Sequence, residues 1–240
     1  MTPDPTRPVL NRLLEALPPS DMAHLLERCD SVPLAPAQVL YEPGDVIDHI
    51  HFPTSAFVSL VSTADGHDGL QVGMVGNEGA LGWELSLGVQ RAPLRALVQG
   101  PGMAWRLTAH AFARQLSRSP PLARVLHRYV CVLLTEFGRS GPCHRFHAIE
   151  QRLARWLLTT QDCAHSTQLA LTHEALGHML GVRRVGITNA ATALHARHLI
   201  DYRRGVITIT DRAGLEQAAC DCYRAHRRSY SELIPEGSRR

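Results

Sequence analysis

The spacing of apolar residues changes twice along this chain of 240 residues. Apolar residues in the segment 8–29 recur at helical intervals, with a break at Pro18-Pro19. From Val32 to Leu107 short β-rich runs alternate with Pro-Gly, Asp-Gly, Gly-Asn and Gly-Pro turns. After Pro120-Pro121 the helical interval returns. The pattern predicts two short helices, then a β domain, then a helical part that closes with a hairpin and a last helix.

The β-rich stretch contains many short strands with a turn after every ten or so residues. Such spacing favours a barrel-like or sandwich domain over a single open sheet. Its interior should be filled by the apolar residues of these strands. The predicted contributors are Ile50, Phe52, Val58, Leu60, Val72 and Val98.

A long helix is predicted from LARVLHRYVCVLLTEFG, which begins at Leu122 and is expected to end at Gly138 and Gly141. Its apolar residues alternate in steps of three and four, and their stripe is wider than a lone surface helix needs. The stripe favours packing on the helix's own domain and on a second copy, although an ordinary core helix fits as well. The residues assigned to a dimer interface are Leu126, Tyr129, Val130, Leu133 and Phe137.

The stretch LTHEALGHMLGVRR, residues 171–184, first suggests a zinc hydrolase because it contains His173, Glu174 and His178. A metalloprotease helix carries its two histidines at i and i+4. Here they are five positions apart, which places them about 140° from each other around a regular helix. The two cannot bind one metal ion, so this alternative is rejected.

The same stretch fits a helix-turn-helix. Thr172 can cap a short helix, Gly181 ends it, and a second helix begins near Arg183. The segment Tyr202–Thr210 then predicts a hairpin placed as a wing, and Asp211 can cap a closing helix, RAGLEQAACDCY. The buried stripe of the second helix is predicted to be Ile187, Ala191, Leu194 and Leu199.

Residues 171–211 resemble the winged helix of the Crp–Fnr transcription regulators, and LYEPGD, IHFPTSAFVSLV and VGNEGALG resemble their β-roll sensor domain. The resemblance covers nearly the whole chain in the family's order. It implies an α+β fold with a jelly-roll-like β-roll (a double-stranded β-helix) over residues 1–118. A dimerisation helix over 119–141 and a winged helix-turn-helix over 142–240 follow. The implied protein is a homodimeric, signal-responsive DNA-binding regulator and no enzyme, with RNA polymerase and an unidentified small effector as further partners.

The resemblance also implies which residues meet DNA. Base edges would be contacted from the start of the second helix, because arginine pairs with guanine and asparagine with adenine in the major groove. Where the family often has glutamate and arginine, this chain has Val185 and Asn189, so a different half-site is expected. In an alternative interpretation, Arg183 and Arg184 contact only phosphates. The implied base-contacting residues are Arg183, Arg184, Val185, Thr188 and Asn189. The implied phosphate contacts are Thr172, Arg203 and Arg204.

The effector pocket is where this chain departs most from the family. Aligned without gaps, Glu84 falls on the glutamate that holds a cyclic nucleotide's ribose, and Leu94 falls on the arginine that holds its phosphate. Arg95 lies one position too far along the strand, and Arg91 lies in the preceding loop. A phosphate buried without a cation is costly. Cyclic AMP and cyclic GMP are therefore not expected as ligands, and no cofactor is identified.

The distribution of charge along the chain also bears on its function. All 25 basic residues are arginines; residues 141–240 carry 14 of them against 9 acidic residues, whereas residues 1–140 carry 11 against 13. The basic C-terminal part suits a polyanion, although a non-DNA-binding ligand-sensing or scaffold module remains the alternative. No secretion signal or membrane span is evident, so the cytoplasm is expected.

Two groups of soft ligands could bind zinc or sense redox change. The first is Cys143, His144 and His147; the second is Cys220, Cys222 and His226. On one regular helix, however, Cys220 and Cys222 would point about 200° apart, which argues against a shared site.

Overall fold

The alternating residues of the N-terminal half form two antiparallel sheets around one apolar core in the computed structural model, which describes residues 11–64, 67–164, 166–203 and 205–234. The elements are α1 Arg12–Glu15, α2 Pro19–Leu26, β1 Asp30–Leu34, β2 Val39–Tyr41, β3 His49–Pro53, β4 Phe57–Ala64, β5 His67–Val75, a 3-10 helix Trp83–Leu87, β6 Arg95–Gly100 and β7 Gly102–Thr108. One sheet has the strand order β1-β7-β3 and the other β2-β6-β4-β5.

The register of these strands turns the residues predicted for the interior towards the core. Val58 of β4 lies opposite Val98 of β6, and both side chains are buried. Ile50, Phe52 and Leu60 are buried in the same core. Val72 is half-buried and packs against it, so the prediction is confirmed with one position less enclosed than expected. The predicted β-roll is thus present.

The C-terminal half is mostly helical. Its elements are α3 Ala109–Arg118, α4 Pro120–Phe146, α5 Ile149–Ala164, β8 Gln168–Ala170, α6 His173–Leu180, α7 Arg184–Ala196, β9 Ile200–Arg203, β10 Val206–Ile209, α8 Arg212–Ala218 and α9 Cys222–Leu233. A second core joins α5 to α8 with the small sheet β8-β10-β9. None of the helices in the described residues is long and apolar enough to cross a bilayer.

Helix α4 is longer than predicted. It starts at a Ser119 cap, whose hydroxyl accepts from the Leu122 amide and donates to Asp21, and it runs for 27 residues, about 40 Å. The expected end at Gly138 and Gly141 is wrong, because the helix continues through Pro142. Packing along α9 over this stretch outweighs the low helix propensity of these residues.

The residues predicted to form a dimer interface lie inside the subunit. Leu126, Tyr129, Val130 and Leu133 are buried in the β-roll core, and Phe137 is half-buried against β5 at Gly73. The four buried side chains fill the space between α4 and the sheet, so a partner cannot reach them. The prediction of an interface role is wrong for these four, since the apolar stripe faces the helix's own domain, and it stays a prediction for Phe137.

The closing helix is also different from the prediction. Asp211 caps α8 as expected, accepting from the Gly214 amide at 2.9 Å. The helix then ends at Ala218, Ala219 takes an extended conformation, and α9 starts afresh at Cys222. Cys220 therefore lies between two helices rather than within one.

Candidate nucleic-acid interface

The helix-turn-helix is built from local signals that the sequence displays. The Thr172 hydroxyl caps α6 by accepting from the Ala175 amide at 3.1 Å. Gly181 ends the helix in the left-handed region, at φ +61°, where a Cβ would also lie 2.7 Å from Leu70. A Cβ on Gly177 would approach the Val182 carbonyl oxygen at 2.9 Å. Glycine at these two positions allows the tight turn that leads into α7.

The start of α7 is an exposed face that carries four of the five residues implied to contact bases. Within the described residues the side chains of these four make no hydrogen bond or ion pair. Arg183, Arg184, Val185 and Asn189 are exposed, and the Val185 side chain remains 62% accessible. The opposite face holds Ile187, Ala191 and Leu194 in the second core. An apolar valine exposed to this degree suits a surface that meets a thymine methyl or another apolar partner.

Thr188, the fifth of these residues, is exposed but already engaged. Its hydroxyl donates to the Arg184 carbonyl oxygen at 3.1 Å, and His173 Nδ1 lies 3.1 Å from the same hydroxyl. The hydroxyl has one proton, so the imidazole Nδ1–H is the donor in the second bond. Its methyl group and its remaining lone pair are what a base could meet.

His173 belongs to this surface, although the sequence gives no signal for a role there beyond the rejected zinc site. Besides its bond to Thr188, its ring stacks on Tyr202 of β9, with centroids 4.3 Å apart. Burial and the neighbouring Arg184 lower the pKa of His173, which keeps the ring neutral near pH 7. The residue first considered as a zinc ligand thus joins α6, α7 and the wing.

The wing strands β9 and β10 present Arg203 to solvent. Its side chain is 85% accessible and pairs with Asp201 at 3.1 Å, an exposed ion pair that a phosphate could readily replace. Arg204, the other predicted phosphate contact on the wing, lies outside the described residues.

The predicted effector residues divide into two groups. Glu84 is buried in the 3-10 helix, with Oε2 lacking a hydrogen-bond partner among the described residues, and burial raises its pKa to about 7. Leu94 is half-buried against the β-roll core. These two lie on the core side, where an effector would bind.

The two arginines turn away from that interior. Arg95 forms a two-pronged ion pair with Glu42, with contacts of 2.7 to 2.9 Å. Arg91 is exposed and donates to the Gly44 carbonyl oxygen at 2.7 Å. The prediction of Arg91 and Arg95 as pocket residues is wrong, because alternation along β6 buries Ala96 instead and the loop before it does not bend inward.

Comparison with known proteins places the helix-turn-helix in a family. The family model for the Crp-like helix-turn-helix domain matches residues 151–218. No curated protein matches the chain by sequence.

Solved structures match over most of the chain. FixK2 from Bradyrhizobium japonicum superposes with a TM-score of 0.68 at 13% identity, covering 80% of this chain and 98% of its own. The global regulator CLP of Xanthomonas campestris gives 0.64 at 15% identity, covering 79% and 98%. A crp/fnr-family transcriptional regulator from Eubacterium rectale gives 0.64 at 16%, covering 86% and 96%.

The fold agrees with the prediction made from the sequence, and CLP and the Eubacterium rectale protein are regulators rather than enzymes. Residues 151–218 are a Crp-like helix-turn-helix domain, and the chain as a whole has the fold of the Crp/Fnr transcriptional regulators.

Proposed function

We propose that the protein is a homodimeric, sequence-specific DNA-binding transcriptional regulator that acts with RNA polymerase in the cytoplasm and receives its signal through the β-roll. The observation that carries the proposal is the exposed start of α7, where Arg183 and Arg184 form no ion pair within the described residues. Arginines that remain unpaired at a helix start are suited to base edges or phosphates.

Base contacts and phosphate contacts are separated by comparing two kinds of DNA. Selection on random duplex should return an inverted repeat whose halves lie about one helical turn apart, about 34–36 Å. On the selected site Arg184→Ala should weaken binding by about 1–3 kcal/mol, and on random duplex by much less. Arg197→Ala is the matched control, since Arg197 lies just beyond the far end of α7 and pairs with Glu150 at 2.8 Å.

Three outcomes decide the DNA-binding proposal. Affinity that falls linearly with salt in logarithmic form supports it, because phosphate contacts release counterions. An equal loss on both duplexes would assign Arg184 to phosphate. The absence of duplex binding at every salt concentration would contradict the DNA-binding proposal and favour the alternative, a scaffold module.

The dimer is proposed to form through the outer face of α4, a stripe exposed in the subunit. Its members follow one another in steps of four, three, four, three and four residues, the spacing of a coiled-coil seam. Gly138 and Gly141 lie on it, and within the described residues a Cβ at either would have no atom within 4 Å apart from its chain neighbours and the backbone of its own helix. A glycine inside a helix costs about 1 kcal/mol relative to alanine, so the close approach of a second helix accounts for them. The outer face consists of His127, Cys131, Leu134, Gly138, Gly141 and Arg145.

The oligomeric state tests this interface. Leu134, 61% accessible in the subunit, would be buried by a partner, so Leu134→Glu should shift the sedimenting species from dimer towards monomer. Val46→Glu places the same charge at another exposed apolar position, 53% accessible and outside α4, and should leave the dimer intact. A dimer unaffected by Leu134→Glu would remove this face from the proposal.

The signal is proposed not to be cyclic AMP or cyclic GMP. A cyclic phosphate would meet Leu94 where a cation is needed, and the nearby arginines are turned outward, with Arg95 paired to Glu42. Calorimetric titration of the full chain with each nucleotide should give no saturable heat. Saturable heats in the micromolar range would contradict this part of the proposal while leaving DNA binding untouched.

A further inference from the structure

Four soft ligands from two distant parts of the chain converge beside the end of α4. Cys143, His147, Cys220 and Cys222 bring their ligand atoms within 4.8 Å of one another. The Cys143 and Cys220 Sγ atoms are 3.8 Å apart, and Cys222 Sγ lies 3.6 Å from His147 Nδ1. Cys143 and Cys220 are buried, whereas the other two are half-buried.

Local structure explains how the four meet. Cys143 and His147 are four residues apart on one face of the last turn of α4, where His147 is the C-terminal cap and donates its amide to the Cys143 carbonyl oxygen at 3.2 Å. Cys220 lies between α8 and α9, where its backbone N–H donates a hydrogen bond to the Gln151 carbonyl oxygen at 3.3 Å. Cys222 belongs to α9 but Cys220 belongs to no helix, so the angle expected between them on one regular helix does not apply.

The distances can be compared with those of a metal centre. Tetrahedral zinc binds thiolate sulfur at about 2.3 Å and imidazole nitrogen at about 2.0–2.1 Å, which places two sulfurs about 3.8 Å apart and sulfur and nitrogen about 3.5–3.6 Å apart. The two observed separations match both values. We propose that Cys143, His147, Cys220 and Cys222 form a structural Zn²⁺ site of the Cys₃His type.

Other chemistries fit the group less well. A disulfide between Cys143 and Cys220 would not account for His147 and Cys222, which complete a tetrahedral set. A [4Fe–4S] cluster attaches each ligand to a different iron, and a [2Fe–2S] cluster divides four ligands between two irons, so both hold the full set of ligands farther apart than one ion does. Four protein ligands leave no open position for substrate, which is the arrangement of structural rather than catalytic zinc.

The surroundings supply the charge that such a site requires. Three thiolates and one Zn²⁺ carry a net charge of about −1. Arg155 acts electrostatically on all three cysteines, and Arg152 acts on Cys143 and Cys220. The Nε atoms of both arginines are buried without a hydrogen-bond partner in the described part of the chain. Such cations beside the ligands stabilise an anionic centre.

The site would tie three segments together. The end of α4, the start of α5 through Gln151, and the start of α9 all meet at the four ligands. Because the ligands come from segments that are separate in the unfolded chain, the free energy of zinc binding becomes free energy of folding. Zinc would therefore fix the long helix against the DNA-binding domain at the point where the two join.

Metal analysis of the full chain tests the site. Protein purified under reducing conditions without a metal-affinity tag should contain about one zinc ion per chain. Exchange for Co²⁺ should produce the sulfur-to-cobalt charge-transfer and visible bands of a tetrahedral thiolate site. His147→Ala and Cys222→Ser should each lower zinc retention at least tenfold in a chelator competition. His144→Ala, next to Cys143 on α4 but outside the cluster, should keep full retention.

Several results would overturn the proposal. Less than about a tenth of an equivalent of zinc, together with no saturable Co²⁺ spectrum, would do so. Iron in place of zinc, or a Cys143–Cys220 disulfide in metal-free protein, would do so as well. The cobalt spectrum of the unaltered chain tests the site even if a variant fails to fold. Because these readouts do not involve DNA, the site can fail while the regulator proposal stands.

Discussion

Glu84 provides a quantitative test of the β-roll interior. The side chain is 3% exposed, and its Oε2 atom has no hydrogen-bond partner among the described residues. Burial raises the pKa of this carboxyl from 4.5 to about 7. The folded chain therefore holds a proton that the unfolded chain releases between about pH 4.5 and pH 7.

The sign and the size of the effect follow from this difference. The protonated carboxyl stabilises the fold fully below pH 4.5, and this contribution is lost as the pH rises through 7. The difference of about 2.5 between the two pKa values corresponds to about 3 kcal/mol. At pH 8 nearly the whole penalty is present, whereas at pH 5 less than about 1 kcal/mol of it remains.

The perturbation is Glu84→Gln, which keeps the shape of the side chain and removes its titration. Relative to the unaltered protein, the variant should gain about 2.5 kcal/mol more free energy of unfolding at pH 8 than at pH 5. Urea unfolding at several pH values and one protein concentration measures this difference. An effect of the glutamine that does not depend on pH is the same at both pH values, so it cancels when the two are subtracted. Glu27→Gln, at an exposed carboxyl on the surface, is the control for losing one charge.

A gain that stays constant across the pH range, within about 0.5 kcal/mol, would refute the reasoning. It would mean that the Glu84 carboxyl ionises as it does in water, and that its surroundings solvate the charge. The β-roll would then contain a polar site at this position, and the effector proposal would have to be revised with it.

Three further substitutions test a buried histidine, the turn after α6 and the N-terminal cap of α6. Burial lowers the pKa of His51 to about 4. As the pH falls from 6.5 to about 4, the unfolded chain therefore binds a proton at this position that the folded chain does not, and this destabilises the fold. His51→Gln should remove about 3 kcal/mol of this acid destabilisation in the same urea series. Gly181→Ala should cost about 1–2 kcal/mol in thermal unfolding, and more than Gly205→Ala, which shares the positive φ but has open space. Thr172→Ala should cost about 1 kcal/mol of unfolding free energy, and Thr172→Ser much less.

Local signals let the sequence predict the β-roll and the helix-turn-helix. The caps at Thr172 and Asp211 and the turn at Gly181 each act within a few residues, and all three are found as expected. The alternation along β4 and β6 likewise needs no knowledge of the rest of the molecule. Helix α3, by contrast, follows β7 directly and was not predicted, because its strongly amphipathic segment contains few large apolar residues.

The outer face of α4 could not be found from hydrophobicity. The apolar stripe that includes Tyr129 and Leu133 was wide enough for two partners, and the sequence does not say which half faces the helix's own sheet. The exposed stripe contains Gly138, Cys131 and His127, residues that a search for large apolar positions ranks low. Only the positions of the backbone show that a Cβ at either glycine would meet open space among the described residues.

The four metal-ligating side chains were visible in the sequence as two separate groups. The pairs that meet are separated by 75 and 77 residues, so only the tertiary fold can bring them together. The break between α8 and α9 carries no glycine or proline, and a single closing helix was the natural prediction from AACDCY. Of the other residues in these groups, His226 lies beside Glu136 at 3.8 Å and His144 bonds to the Ser140 carbonyl oxygen at 2.7 Å.

Among the contacts between the β-roll and the helices that follow it, two hydrogen-bonded groups bear on how a signal could travel. His127 on α4 lies 3.4 Å from the Ser86 carbonyl oxygen of the 3-10 helix that also carries Glu84. On the second route Gln71 of β5 accepts hydrogen bonds from Trp156 of α5 at 3.1 Å and from Ser59 at 2.9 Å. A displacement of the 3-10 helix would act on α4, whose far end meets α5 and α9 at the cysteine cluster. The hydrogen bond at Gln71 would oppose any tilt of α5 that did not also move β5.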